Sequence, residues 1–142
     1  MNKALLSLAL LALCSFVSAE PVGKLDTIAD QEWQIVSADS KPAARANATL
    51  RITKDGKVSG RAPVNSYGGG VTLDGKGGCK WGGAFFATQM AGPPELMDAE
   101  QKYFDALPKT LKVDLTDGVL TFSSADGKTR VVFRKNPAAK RQ

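Results

Sequence analysis

Three carboxylates that share one short stretch, Glu95, Asp98 and Glu100, are the nearest approach in this sequence to an acid–base pair. A working pair needs two groups in different environments, one kept protonated and the other ionised. On a helix, Glu95 and Asp98 point largely away from the apolar stripe of Leu96, Met97, Tyr103, Phe104 and Leu107, and their ordinary role is to favour the positive helix N-terminus. Glu100 alone falls inside the stripe. Other reactive groups are scarce. The chain has no histidine, the commonest general base and metal ligand, and so Cys79 has no imidazole to activate it. Gly70 to Lys76 follows most of a phosphate-binding loop, yet Gly77 stands where a magnesium-binding Ser or Thr belongs and Cys79-Lys80-Trp81 opens no helix. No catalytic residue, cofactor or metal ligand is expected, and the chain reads as a protein that is not an enzyme.

Four residues remain as structural or functional candidates: Glu100, Asn65, Tyr67 and Trp81. A carboxylate among Leu96, Met97, Tyr103 and Phe104 is costly to bury without donors. The structural reading gives Glu100 strand amides, a buried hydroxyl such as Tyr67, or an arginine, and makes it the pin between helix and sheet. The functional reading sets it at the mouth of a cavity with a raised pKa, facing a ligand. The structural reading takes precedence, because helix docking needs no ligand to explain it. Asn65 is read as a turn or side-chain-to-backbone hydrogen bond before a site residue. Trp81, flanked by Lys80 and two glycines, is the candidate for an exposed aromatic contact. Trp33, Phe85, Phe86, Phe104, Phe122 and Phe133 are expected in the core.

The elements that must position these residues follow from periodicity. Pro93 to Leu107 is the one convincing helix, with Pro93 and Pro94 suited to its start and Pro108 to its end. The remainder reads as short strands: Glu32 to Val36, then Ala48 to Thr53 returning through Asp55-Gly56 as Lys57 to Gly60. Asp39 to Ala46 reads as a loop. The glycine-rich middle, Val64 to Phe86, fits two strands joined at Asp74-Gly75, with glycines marking bulges or bends. Beyond the helix, Leu111 to Leu115, Leu120 to Phe122 and Thr129 to Arg134 form a meander turned by Asp117-Gly118 and Asp126-Gly127. The expected fold is α+β, an antiparallel, strongly curved (half-barrel-like) sheet of about eight strands with one helix packed against it.

Residues 1–19 have the form of an export signal: Lys3, an apolar run from Ala4 to Leu13 broken only by Ser7, and Val17-Ser18-Ala19 ahead of the cleavage point. That run is too short to remain as a membrane anchor, and no second one exists, so no transmembrane segment is expected. The expected location is periplasmic or extracellular. Cys14 raises a lipoprotein reading, against which Leu13 is too large for a lipobox. Cleavage after Ala19 leaves Cys79 alone, buried or available to a partner chain. The remaining 20–142, in a chain 43% hydrophobic, suffice for one core. The formal charge of +5 becomes +4 once Lys3 is lost, and the basic tail at 134–142 reads as a solvated terminus.

The order of these elements and their residues resembles the META domain (HslJ-like, DUF306) family. The match is carried by Trp33, Gly56-Lys57-Val58-Ser59-Gly60, Asn65-Ser66-Tyr67 with Gly69, Thr88-Gln89-Met90-Ala91, Glu100 with Phe104 and Leu107, and the closing strands Leu120 to Phe133. The family commonly has a cysteine before the Asn and another after the Met-Ala, thought to pair; here Val64 and Gly92 stand at those positions. The resemblance implies an envelope or secreted protein linked to stress tolerance, antibiotic resistance and motility, without established catalysis or cofactor. The expected function is a non-enzymatic exported protein acting through protein contacts or envelope stress tolerance. The alternatives are a binder of a small apolar ligand in the sheet cavity, or an inhibitor or adaptor of an extracellular enzyme. The partner is then an unknown protein or small apolar ligand, not specific nucleic acid, and the chain a monomer.

Overall fold

A computed structural model describes residues 18–39, 41–42 and 47–136. The leader with Cys14, most of the 40–46 loop and the end of the basic tail, with Lys140 and Arg141, lie outside the described residues. Ten strands and one α-helix follow in order: β1 (Glu20–Pro21), β2 (Glu32–Ala38), β3 (Lys41–Pro42), β4 (Thr49–Ile52), β5 (Lys57–Arg61), β6 (Ser66–Leu73), β7 (Cys79–Ala87), α1 (Pro94–Ala106), β8 (Lys112–Thr116), β9 (Val119–Ser123) and β10 (Arg130–Lys135). Eight of these are the expected strands. The other two are two-residue pairings that no periodicity could announce: β3 on β2 inside the expected loop, and β1 on β8 just after the expected cleavage point. Both contain a proline, which is tolerated at a sheet edge because no ladder donor is needed there.

All pairings between strands are antiparallel, in the order β1-β8-β9-β10-β2-β4-β5-β6-β7. The sheet curls without closing. Its far strands meet at a single bridge, Gly78 to Lys112, where Cys79 N–H donates to Leu111 C=O (2.9 Å) and Val113 N–H to Gly77 C=O (2.9 Å). Beyond that bridge β1 occupies the edge of β8. Register shifts between Val132 and Phe133 in β10 and between Gly68 and Gly70 in β6 bend the sheet, as expected of bulges.

Alternation sets the inner face. Trp33, Leu50, Ile52, Val113, Leu120, Phe122, Val131 and Phe133 are buried on it, each large side chain contributing about 1.5–3 kcal/mol on leaving water. Phe86 is the exception to the expected core: it is 70% exposed. Consecutive residues of a strand face opposite sides, and Phe85 takes the inner one, its ring 5.7 Å from Trp81 and 6.3 Å from Tyr67.

Helix α1 starts on Pro93 C=O, which accepts from the amides of Leu96 and Met97 (both 3.0 Å). Its buried face is Glu100, Tyr103 and Ala106, continued by Leu107 in the 3-10 turn that follows. Met97, expected on the stripe, lies 37% exposed, and Phe104 is half-buried. The helix is rotated so that Tyr103 meets Tyr67 of β6 and Glu100, one turn earlier, meets the turn between β5 and β6.

Gly60 is where β4 and β5 must nearly touch. A Cβ there would stand 2.0 Å from Thr49 C=O and 2.9 Å from the Tyr67 ring, a clash with backbone that no rotamer change relieves. Gly60→Ala is expected to destabilise the fold by roughly 1–3 kcal/mol, measured as a lower urea midpoint. An unchanged midpoint would show that the strands separate freely.

Candidate functional site

Glu100 and Asn65 meet where the β5–β6 turn, the β7–α1 loop and the helix converge. Asn65 sits in that turn and is buried; Glu100 projects from the second turn of α1 and is 6% exposed. One carboxylate oxygen, Oε2, accepts from the backbone amides of Val64 (2.8 Å) and Asn65 (2.7 Å), while Oε1 accepts from Asn65 Nδ2 (2.6 Å). The rest of the Asn65 amide faces the loop: Nδ2 also donates to Met90 C=O (3.3 Å), and Oδ1 accepts from Met90 N–H (2.7 Å) and Thr88 Oγ (2.8 Å). Two side chains thus tie three segments distant in sequence.

Burial pushes the Glu100 pKa up, but the Asn65 side chain and the Asn65 and Val64 amides outweigh it, and the carboxyl is held below its usual value. It is an ionised acceptor at neutral pH with its bonding capacity largely taken up, and nothing like the raised-pKa acid of the ligand-binding alternative. Its partners are amides of a turn, not Tyr67 and not an arginine.

Tyr67 belongs to a neighbouring pair. Its hydroxyl donates to Thr49 C=O (2.8 Å) and, having one proton to give, accepts from Tyr103 across 2.5 Å. Burial raises the pKa of both phenols, so they are neutral donors and not bases. The two rings meet edge to face at 5.6 Å, and Phe104 and Phe133 extend the cluster.

Trp81 corrects an expectation. It is half-buried, not an exposed contact: its ring lies 5.1 Å from Phe122, and Nε1 donates to Thr110 Oγ (2.8 Å), which donates in turn to Leu107 C=O (2.7 Å). Lys80 and Gly82 are on the opposite, outer side of the strand, as parity requires. Thr110, fully buried, is a polar link the residue pattern did not single out, since no local signal marks it; Thr88, on the surface loop, stands in the Thr88-Gln89-Met90-Ala91 stretch that carries the resemblance, though not among the candidate site residues. Cys79 is buried, its Sγ 3.8 Å from Thr110 C=O, and burial pushes its thiol up to about 11, which keeps it protonated at neutral pH.

Among the described residues, every buried side-chain nitrogen or oxygen has a hydrogen-bond partner, and no cluster of acidic, cysteine or histidine side chains could hold a metal ion. No helix among them is long and apolar enough to cross a membrane. An open groove on the surface is lined by residues such as Asp114, Thr121 and Arg130; the inside of the curl is occupied by the rings of Trp33, Tyr103, Phe122 and Phe133.

Residues 26–137 match the family model described as the META domain. No curated protein matches the chain. Solved structures share the fold. A DUF4847-family protein from Bacteroides vulgatus ATCC 8482 is 13% identical with a TM-score of 0.61, the match covering 79% of this chain and 96% of that one. A protein from Burkholderia xenovorans, determined by NMR, is 18% identical with a TM-score of 0.62, covering 79% and 86%.

Proposed function

The chain belongs to the META domain family, and from that premise we propose that it is a non-enzymatic exported protein, periplasmic or secreted, that works by presenting its surface to an envelope partner and supports stress tolerance there. The carrying observation is the state of Glu100: the one buried carboxylate among the described residues is ionised, held by three donors and shielded from solvent. A general acid or base must exchange its proton near the working pH and reach a substrate, and this group is set up for neither. A filled interior weighs against a ligand in the curl of the sheet, and an inward Trp81 removes the anchor suggested for an inhibitor or adaptor.

Export is tested on the N-terminus. The expected result is a chain beginning at Glu20 in the exported fraction, identified by N-terminal sequencing and mass. A 15.0 kDa chain retained whole in the cytoplasm, or one acylated at Cys14, would overturn the proposed location. Envelope stress tolerance is tested by deleting the gene and scoring growth under envelope stress; equal survival of deletion and parent strains removes that role.

A further inference from the structure

The outer face of β4–β7 carries a charge pattern that the fold does not use. Registers place Arg51 beside Ser59, Ser59 beside Gly68 and Gly68 beside Phe86, with Arg61 beside Ser66 and Thr72 beside Lys80 in flanking rows. Arg51, Lys57, Arg61 and Lys80 are all exposed. Of the four, only Lys57 has an ion pair among the described residues, with Asp55 at 3.6 Å. Glu32, beside Arg51 in the ladder, is engaged by Asn136 Nδ2 at 2.7 Å. Positive charge therefore outweighs negative on this face: Arg61 and Lys80 have no carboxylate beside them in the ladder, whereas Lys57 is paired with Asp55 and Arg51 stands beside Glu32.

The floor between those charges is bare. Gly70 and Gly82 project no side chain, and Phe86 covers Gly68, which is buried and where a Cβ would be 2.4 Å from the ring tip. We propose that this face binds an acidic polysaccharide, its carboxylates paired with Arg51, Arg61 and Lys80 and one sugar ring stacked on Phe86. Strands stand about 4.8 Å apart, so Arg51 and Phe86, three strands apart, define a row of about 14 Å, long enough for several units of a linear polymer. Arginine forks match carboxylates in pairs, and the exposed hydroxyls of Ser59, Ser66 and Thr72 suit sugar hydroxyls. A nucleic-acid platform stacks successive bases on several aromatics, whereas this face has one. A membrane wedge projects from its surface, and Phe86 is laid down on it. The choice of glycan as the polymer rests on the proposed export, which sets the chain among envelope polymers.

Polygalacturonate, with neutral dextran as control, is the probe for binding by the purified protein. The expected result is salt-sensitive binding to polygalacturonate only, weakened about tenfold or more in Arg51→Ala/Arg61→Ala and in Phe86→Ala. Gly82→Val is the decisive variant, since nothing lies within 4 Å of a Cβ there: it should unfold at an unchanged or higher temperature and bind about tenfold more weakly, because it fills the floor. Lys112→Ala/Lys128→Ala, which removes two charges elsewhere, should bind within about twofold of the parent. Equal binding by Gly82→Val, equal binding to dextran, or tighter binding to an oligo-dT strand or phosphatidylglycerol vesicles overturns the proposal. Binding is read in vitro and export by the N-terminus at Glu20, so either reading can fail without the other.

Discussion

Replacing Glu100 by leucine is expected to lower unfolding stability by roughly 3 kcal/mol or more, because it leaves three donors facing an apolar side chain. Two of them, the Val64 and Asn65 amides, are backbone and have no alternative acceptor in the site. Glu100→Gln keeps the shape but must turn an NH2 toward a donor in either flip, since Oε1 and Oε2 both accept. Its expected cost is smaller, about 1–3 kcal/mol. Chemical denaturation read by tryptophan fluorescence measures both, as Trp33 and Trp81 are packed in or against the core. If leucine is tolerated as well as glutamine, the carboxylate does not hold the helix to the turn.

The same bonds give stability a pH dependence. With the folded pKa of Glu100 below its unfolded value, its contribution is complete above the ordinary glutamate range, about 4.3. It is lost as pH falls through the lower folded value. Asp55, Asp74 and Asp126 are also held low, by the Thr53 hydroxyl, the Lys76 and Gly78 amides, and the Ser124 hydroxyl respectively, so acid acts on them as well. The isolating quantity is therefore the stability difference between the parent and Glu100→Gln. It should stay flat from about pH 6 to 8 and shrink below about pH 4; a difference independent of acid would remove the charge from the account.

Much of this arrangement was legible in the residues, and the parts that were not have physical causes. Asp-Gly turns flanked by alternating residues specify hairpins locally, and Asp117 and Gly118 both adopt the positive φ, 48° and 76°, that such a turn demands. Glu100 stood out because a charge on an apolar stripe must find donors. Those donors were illegible: they are amides of a turn some 35 residues away, and every residue carries an amide. The two aromatic misreadings come from composition, not from alternation. Lys80 and the glycines around Trp81 suggest exposure, and Phe85-Phe86 read as one apolar block suggests a shared core, whereas strict alternation puts Trp81 and Phe85 inside and Phe86 outside. The irregular pairing of Gly82 with Gly70 and Phe86 with Gly68 sets three residues against one and so leaves the faces unchanged.

Cysteines introduced together at Val64 and Gly92 are expected to oxidise to a disulfide and raise stability by about 3–4 kcal/mol, the chain-entropy value for closing a loop of about 29 residues. The geometry is already present. A Cβ built on Gly92 lies 3.6 Å from the Val64 Cβ, within the 3.5–4.5 Å that a disulfide spans. The same Cβ would lie 2.8 and 3.1 Å from the two Val64 methyls, so in this chain valine fills the space that a second sulfur would need. Gly92→Cys alone should therefore destabilise by overpacking, whereas Val64→Cys removes the obstructing methyls and keeps the Val64 amide that Glu100 holds. Cys79 does not compete for the new thiols: it is buried, with its thiol pushed up to about 11, and carries little of the thiolate that exchange requires. Thiol titration of the unfolded mature chain should count one free thiol before reduction and three after, with the stability gain abolished by reductant. Three free thiols under oxidising conditions would mean that the β5–β6 turn and the β7–α1 loop stand further apart in solution than the Asn65 hydrogen bonds place them.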